Sequence, residues 1–367
     1  MIVDIIIKVL IISSIAAALA TILTISHSFF SNYGPCTITI NGEKQLIVQG
    51  GDSLLATLVE NKIFIPSACG GRGTCGLCKI KVIEGAGVLL PTEEPFLDKK
   101  ERQTGVRVSC QVKVRNDLRI EIPPELFAVR EYLCRCAEIK DLTYDIKQFR
   151  FELIEPDTMD YIPGQYLQLL TPKYEKSGEE VYRAYSMSSD PADKKAVETI
   201  IRLVPGGICT TYCFEYLKVG DEVKLNGPYG EFRLSDTAAP MVFIAGGSGM
   251  APIISILQDM VNTANKRKAI YFFGANTVKD LMLVDELKEF ERQLADFSFV
   301  PVVSSPASDQ QWQGETGLVT EAVQRGLTNA DKYEAYLCGS PAMIDACIKV
   351  LTELGITEDN IFYDKFA

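Results

Sequence analysis

The sequence predicts a multidomain chain: an N-terminal transmembrane helix, an α+β module of the β-grasp kind, an antiparallel β-barrel, and an α/β domain with a parallel sheet. Three observations predict it. No Lys, Arg, Asp or Glu occurs from Val9 to Gly42. Short alternating runs of apolar and polar residues, separated by Gly, Pro and Asn, then continue to Ser235. From Met241 onward, apolar strands alternate with helical stretches instead. At 367 residues, and about 150 per domain, two or three domains are expected.

Each element has its local reason. Residues 9–30 supply about 22 largely apolar residues, or ~33 Å of helix, enough to span a bilayer. A cleaved signal peptide is the other reading of this segment, since Ala18-Leu19-Ala20 resembles a cleavage site. Thr37-Ile38-Thr39-Ile40, the turn Asn41-Gly42 and Gln45-Leu46-Ile47-Val48 predict a hairpin. Ser53 can cap a short helix through Val59. Lys79–Val82 and Leu118–Ile122 alternate again, and Pro123-Pro124 ends this module. Residues 130–235 read as strands punctuated at Pro163-Gly164, Pro205-Gly206-Gly207 and Gly227-Pro228, the pattern of a barrel. The strand Met241–Ala245 then runs through a Gly-rich turn into a helix over Pro252–Asn262. The strand Ala269–Phe273 and the helix Val284–Leu294 follow, as in a parallel sheet. The expected boundaries are 1–32 for the anchor, 33–128 for the first module, 129–236 for the barrel and 237–367 for the α/β domain.

Composition removes whole classes of chemistry. With 47% hydrophobic and 23% charged residues, the chain is a folded protein rather than a disordered one. A formal net charge of -11 and no basic stripe argue against nucleic acid as a partner. The single histidine, His27, lies in the apolar N-terminal stretch. One histidine excludes Ser-His-Asp and Cys-His catalysis, His-ligated zinc, and a Rieske centre with two His on one iron. The 11 cysteines are an odd number, which makes a poor disulfide framework and fits a reducing compartment.

Cys69, Cys75, Cys78 and Cys110 are patterned; the other cysteines are scattered. The run Cys69-Gly70-Gly71-Arg72-Gly73-Thr74-Cys75-Gly76-Leu77-Cys78 with a distant fourth cysteine matches a [2Fe–2S] loop. Plant-type ferredoxins use C-x4-C-x2-C, and here the first gap is one residue longer. The glycines let the loop wrap closely and aim N–H groups at sulfur. The alternative, a four-cysteine zinc site, usually has two separated C-x2-C pairs, whereas this run has one. Cys134 and Cys136 share a strand face, Cys213 and Cys347 fall in helical stretches, and these read as small core hydrophobes.

Two further motifs point to nucleotides. Arg183-Ala184-Tyr185-Ser186 on a barrel strand would set a cation beside a diphosphate, and a ring and hydroxyl beside a flavin. Taken alone, it reads equally as a surface Arg and a packed Tyr. Gly207-Ile208-Cys209-Thr210 then opens a helix whose free N–H groups suit the pyrophosphate of FAD. Gly246-Gly247-Ser248-Gly249-Met250-Ala251-Pro252 follows a strand and opens a helix, the setting that a dinucleotide site requires. Phe273-Gly274-Ala275 and Cys338-Gly339-Ser340-Pro341 end two more strands, so three loops meet at one sheet edge. The expected NADH contacts are Gly246, Gly247, Gly249, Met250, Pro252, Gly274, Cys338, Gly339 and Pro341. No Arg or Lys follows Gly274 before Lys279, and Asn276 stands where a 2′-phosphate clamp would be; this favours NADH over NADPH.

In this order, the motifs resemble the ferredoxin-NADP+ reductase superfamily with a fused [2Fe–2S] domain. The apolar segment ahead of the cluster, the C-x5-C-x2-C spacing, Val108-Ser109-Cys110-Gln111 and the terminal Tyr363-Asp364-Lys365-Phe366-Ala367 are similar to the NADH-oxidising members of the Na+-translocating NADH:quinone reductase family. That resemblance implies that Cys69, Cys75, Cys78 and Cys110 ligate the cluster, and that Arg183, Tyr185 and Ser186 hold FAD; Gly207, Cys209 and Thr210, at the helix start read above, are the further expected FAD contacts. It implies that Phe366 covers the flavin ring until nicotinamide displaces it, with Cys338 near the hydride path. Ser186, Cys338 and Phe366 are thus the expected catalytic positions.

The chemistry then follows from electron counting. NADH gives two electrons as hydride, a cluster takes one at a time, and a flavin converts between the two. The expected partners are the membrane, integral-membrane redox subunits of a larger complex, and quinone as final acceptor through them. NADH is cytosolic, so the soluble domains are expected to face the cytoplasm from the inner membrane as a single-pass protein. Two other functions fit the same residues: a membrane-anchored reductase feeding an oxygenase or other redox partner, and a non-enzymatic iron–sulfur electron carrier.

Overall fold

The computed structural model describes residues 7, 10–21, 33–123, 126, 129–306 and 312–366. The chain divides into two compact units, Met1–Ile65 with Gly71–Leu126, and Pro66–Gly70 with Phe127–Ala367. Residues 10–21 (α1) form a helix, and Leu10, Ile11, Ile12, Ile15 and Leu19 on it are all exposed. The remainder of the expected membrane span lies outside the described residues. Among the described residues, no helix is long and apolar enough to cross a membrane.

In the first unit, β1 (Pro35–Ile40) and β2 (Lys44–Gln49) pair antiparallel. Between them Asn41 and Gly42 both take positive φ, 53° and 77°, and the Glu43 N–H closes the turn on the Ile40 carbonyl at 3.1 Å. This is the left-handed turn that the Asn-Gly pair encodes, its twist matched to the strands. The Ser53 hydroxyl accepts the Ala56 N–H at 3.2 Å and starts α2 (Leu54–Glu60). Leu54 and Leu58, one turn apart, go into the core. That core also takes Ile38 and Ile40 from β1, Ile80 and Val82 from β3 (Lys79–Glu84), Val108 from β4 (Val106–Val108), and Leu118 and Ile120 from β5 (Leu118–Glu121). At about 1.5–3 kcal/mol per buried large aliphatic side chain, this shared face holds helix to sheet. The strand order is β2-β1-β5-β3-β4, with β1 and β5 parallel at its centre and the other pairs antiparallel. A mixed sheet packed on α2 is the β-grasp arrangement expected.

The second unit opens with six antiparallel strands in the order β10-β7-β6-β11-β8-β9. They are β6 (Arg130–Asp141), β7 (Ile146–Glu155), β8 (Tyr166–Thr171), β9 (Val181–Ser186), β10 (Ala196–Arg202) and β11 (Glu222–Tyr229). Beyond the end of β9, a Met187–Thr199 bridge and the Ser188 N–H on the Glu198 carbonyl, 2.8 Å, join the two edge strands and close the barrel. Cys134 and Cys136 point into its core, as their alternation required.

The chain then turns to six parallel strands, β12 (Met241–Gly246), β13 (Ala269–Ala275), β14 (Phe297–Val303), β15 (Glu315–Thr316), β16 (Glu334–Gly339) and β17 (Ile361–Lys365), in the order β15-β14-β13-β12-β16-β17. The path moves outward from β12 on one side and returns to β16 on the other, so the switch point falls at the end of β12. Helix α5 (Met250–Asn262) begins at Met250 rather than Pro252: Gly247–Gly249 form a 3-10 turn that feeds it directly. Pro252 is tolerated there because the first-turn N–H groups have no partner within a helix. Ile146, Ile200 and Phe232 of the barrel pack in one core with Met241, Phe243 and α5 residues Ile253 and Ile256.

Candidate active site

The cysteine loop is shaped by its glycines. Gly73 and Gly76 take φ of +74° and +66°. A Cβ on Gly76 would lie 2.5 Å from the Phe96 ring, and one on Gly73 would lie 2.4 Å from Gln111 Nε2. Only glycine meets both demands. Cys78 is buried, and its carbonyl takes both the N–H and the hydroxyl of Ser109 at 2.8 Å. Those bonds seat Cys110 beside Cys78. The Cys78 thiol is pushed far above its ordinary value, first by its hydrogen bond with Cys110 and then by burial. Two thiols so close ionise together only with a cation between them, so this donor pair fits iron. Cys75 follows on the same loop, and Cys69 lies in Pro66–Gly70, the segment grouped with the second unit. Among the described residues, no three His, Cys, Asp or Glu side chains gather round a single ion. A two-iron cluster asks for four thiolates spread over two irons, which is a different geometry.

In the barrel, Arg183 and Tyr185 on β9 stand opposite Leu169 and Leu167 on β8 and share a face; Ser186 is on the other. Arg183 Nη1 donates to the Tyr182 carbonyl at 2.7 Å, and among the described residues no carboxylate pairs with its guanidinium. An uncompensated guanidinium suits a diphosphate. Tyr185 reaches Cys209, the second residue of α4 (Ile208–Thr211). Burial alone would raise the Cys209 thiol, but hydrogen bonds with Cys213 and Tyr185 and the charge of Arg183 outweigh it and lower it. The structure thus brings Arg183, Tyr185 and Cys209 together. Gly207 caps α4, and the Thr210 hydroxyl ties back to Val204 at 3.1 Å and 3.2 Å. The helix runs on as a π-helical turn, Tyr212–Tyr216, a distortion often found at functional sites. Gln168 Nε2, opposite Ala184, is buried with no partner among the described residues, a donor left over for a polar ligand.

At the parallel sheet, Gly246 is paired with Gly274, and Ala245 with Cys338. A Cβ on Gly249 would sit 2.3 Å from the Cys338 carbonyl oxygen. Met250 and Pro252 are buried in the first turn of α5, and Pro341 opens α8 (Pro341–Glu353). The three expected loops therefore meet at the switch point, with the N–H groups of a 13-residue helix aimed out of it.

The C-terminal strand completes this edge. Cys338 pairs with Asp364 and Gly339 with Lys365, and the Phe366 N–H donates to the Gly339 carbonyl at 2.9 Å. Asp364 reaches back to the Ser186 hydroxyl of the barrel; burial pushes its carboxyl up to about 6, and the Ser186 bond opposes that rise. Burial first, and then the Asp364 charge, push the Cys338 thiol well above its ordinary value. The structure thus brings Ser186, Cys338 and Phe366 to one edge, together with Asp364, to which sequence reasoning gave no role. The missed signal was a carboxylate in a strand next to the C-terminal aromatic residue.

Three sequence families match successive stretches of the chain. A 2Fe-2S iron-sulfur cluster binding domain matches residues 38–115, an oxidoreductase FAD-binding domain matches 133–234, and an oxidoreductase NAD-binding domain matches 243–349. Among solved structures, the cytochrome P450 reductase GcoB of Amycolatopsis superposes with a TM-score of 0.73 at 26% identity, covering 90% of this chain and 98% of that one. The ferredoxin reductase of carbazole 1,9a-dioxygenase gives 0.68 at 25% identity, covering 91% and 99%. Fold and site together define a flavin-dependent NADH oxidoreductase carrying FAD and a [2Fe–2S] cluster.

Curated relatives narrow the class. The F subunit of the Na(+)-translocating NADH-quinone reductase of Marinomonas sp. (strain MWYL1) is 33% identical over 99% of both chains. Its namesake from Pseudomonas aeruginosa PAO1 is 33% identical over 97% of both. The chain belongs to the family of Na(+)-translocating NADH-quinone reductase F subunits.

Proposed function

We propose that this chain is the NADH-oxidising input of a membrane-bound quinone reductase of the Na+-translocating type, passing electrons to quinone through integral-membrane redox subunits. The observation that carries the reading is the junction at which Ser186 of the barrel meets Cys338 and Asp364 of the parallel sheet, with Phe366 bonded to Gly339. That is where a flavin on the barrel and a nicotinamide on the sheet edge would come face to face.

The residues divide the work. Gly246, Gly247, Gly249, Met250, Pro252, Gly274, Gly339 and Pro341 shape the NADH site, the glycines by letting the backbone approach phosphate. Arg183 would neutralise the FAD diphosphate, Tyr185 and Ser186 would hold the flavin, and Gly207, Cys209 and Thr210 at the start of α4 would join them. Phe366, held by its N–H on Gly339, would cover a bound flavin where nicotinamide must otherwise sit. Cys69, Cys75, Cys78 and Cys110 hold the cluster. Bound FAD supplies the conversion of a two-electron hydride into single electrons. The boundaries that fit this division are 1–32, 33–128, 129–236 and 237–367. The exposed apolar side chains of α1 support a single-pass membrane anchor at the inner membrane, and the NADH supply places the soluble domains in the cytoplasm.

Likeness to two reductases named for a P450 and a dioxygenase favours a second reading, electron supply to an oxygenase. Purification from native membranes in mild detergent separates the two. Co-purifying multi-span subunits support the quinone reductase; an oxygenase in their place overturns it. Absence of flavin bleaching by NADH in the isolated chain would remove both.

A further inference from the structure

We infer that Gln111 sets the reduction potential of the iron–sulfur site, its side-chain amide aimed at Cys110 and held there by Thr92. The inference rests on Cys110 being a cluster ligand. Gln111 Nε2 donates to Cys110 Sγ at 3.6 Å, and Gln111 Oε1 accepts the Thr92 hydroxyl at 3.1 Å. The sulfur sets the amide's direction: turned over, the carbonyl oxygen would face the thiolate with no hydrogen to offer, while the Thr92 hydroxyl, bonded to the other end, keeps the amide from swinging away. Gly73 makes room, since a Cβ there would lie 2.4 Å from Nε2.

Thr92 is steadied by its neighbour. Glu93 is fully buried and accepts from the N–H groups of Leu90 and Val108, each at 3.0 Å, and from Arg107 at 2.9 Å and 2.5 Å. Arg107 also binds the carbonyls of Ala86, Gly87 and Val88 at 3.0–3.2 Å. Residues 86–93 are therefore clamped to β4, from whose end Ser109, Cys110 and Gln111 continue. The Gln111 N–H returns to the Val108 carbonyl at 2.8 Å, closing the turn that presents the amide.

The electrostatic consequence has a definite sign. Reducing the cluster by one electron increases the negative charge shared by its sulfurs. An N–H donor at a ligand sulfur stabilises the more negative state, so it raises the potential. Loss of the amide leaves the ligands in place and lowers it.

The experiment is a potentiometric titration followed by electron paramagnetic resonance on the full chain, comparing wild type, Gln111→Leu and Thr92→Val. Both variants are expected to retain the reduced-cluster signal. The midpoint falls in Gln111→Leu by about three- to tenfold in the oxidised-to-reduced ratio, tenfold being 59 mV for one electron. Thr92→Val, which frees the amide without removing it, shifts it the same way by less. An unchanged midpoint in cluster-loaded Gln111→Leu overturns the inference. If that variant fails to load, an unchanged midpoint in Thr92→Val does so. Wild type with no cluster signal refutes the ligand assignment itself, a different failure from an unmoved midpoint.

Discussion

The cysteine site and the proposed flavin–nicotinamide junction are built by opposite means. The first is one loop, Cys69–Cys78, with a fourth cysteine following a short strand; its chemistry is carried by residue type. The second is assembled by register: Ser186 ends a barrel strand, Cys338 is the last but one residue of β16, and Asp364 stands opposite Cys338 on β17. A cluster must be gripped by thiolates, whereas hydride transfer asks only for two planar groups held face to face. Substitutions in the first site should therefore delete a cofactor, and those in the second should misalign one.

The largest expected effect breaks the two apart. Cys78→Ser abolishes the cluster's absorption and paramagnetic signal, while bleaching of the flavin by NADH, which uses none of the four cysteines, continues. Loss of both together would show that the units depend on each other for folding. Gly249→Ala comes next, because its Cβ would meet the Cys338 carbonyl oxygen at 2.3 Å. The loop must move, so KM for NADH should rise tenfold or more and stability should fall by about 1–3 kcal/mol. Steady-state kinetics and a thermal melt check both.

Each unit also has a buried ion pair, and the two pairs sharpen the contrast. Glu93–Arg107 clamps the loop that leads to the cysteine turn. Glu334–Arg267, at 2.6 Å, holds residues 235–240 at the entry to the parallel sheet, with Ser235, Thr237 and Tyr336 also donating to Glu334. Burial disfavours the charged carboxylate in both, yet these bonds hold both below the usual range. Each therefore supports folding above the unfolded carboxylate pKa, and that support is lost as acid protonates it. Replacing either Glu by Ala strands an arginine and should cost about 3–5 kcal/mol by denaturant titration. Glu93→Ala should also alter the cluster signal, and Glu334→Ala should spare it.

What the sequence made legible follows the same division. The Asn41-Gly42 turn, the Ser53 cap and the glycine loops are local, since each residue type has few other uses in its setting. Glu93, Arg107, Glu334 and Arg267 look like ordinary surface charges, because their burial depends on partners that only the fold supplies. Gln111 stood in the sequence merely as the residue after the fourth patterned cysteine; its role needs Thr92 from another loop. Helix α5 starts early for a related reason, since a 3-10 turn of glycines has no side-chain pattern to read.

Asp364 gives the smallest effect and the closest test of register. Its carboxyl is raised from 3.8 to about 6, chiefly by burial, so between those values the folded protein binds more protons than the unfolded chain. Its contribution to stability is present below about pH 4, is lost as pH rises through about 6, and is flat beyond that. Asp364→Asn should erase this slope, leaving the variant more stable than wild type at pH 8 by about 1–3 kcal/mol and indistinguishable from it near pH 4. Denaturant titrations across that range measure it. Ser186→Ala removes the one bond that favours the carboxylate and should move the slope to higher pH. A slope unaffected by Ser186→Ala would mean that barrel and sheet do not meet at this carboxyl, and the junction would lose the contact that ties its halves together.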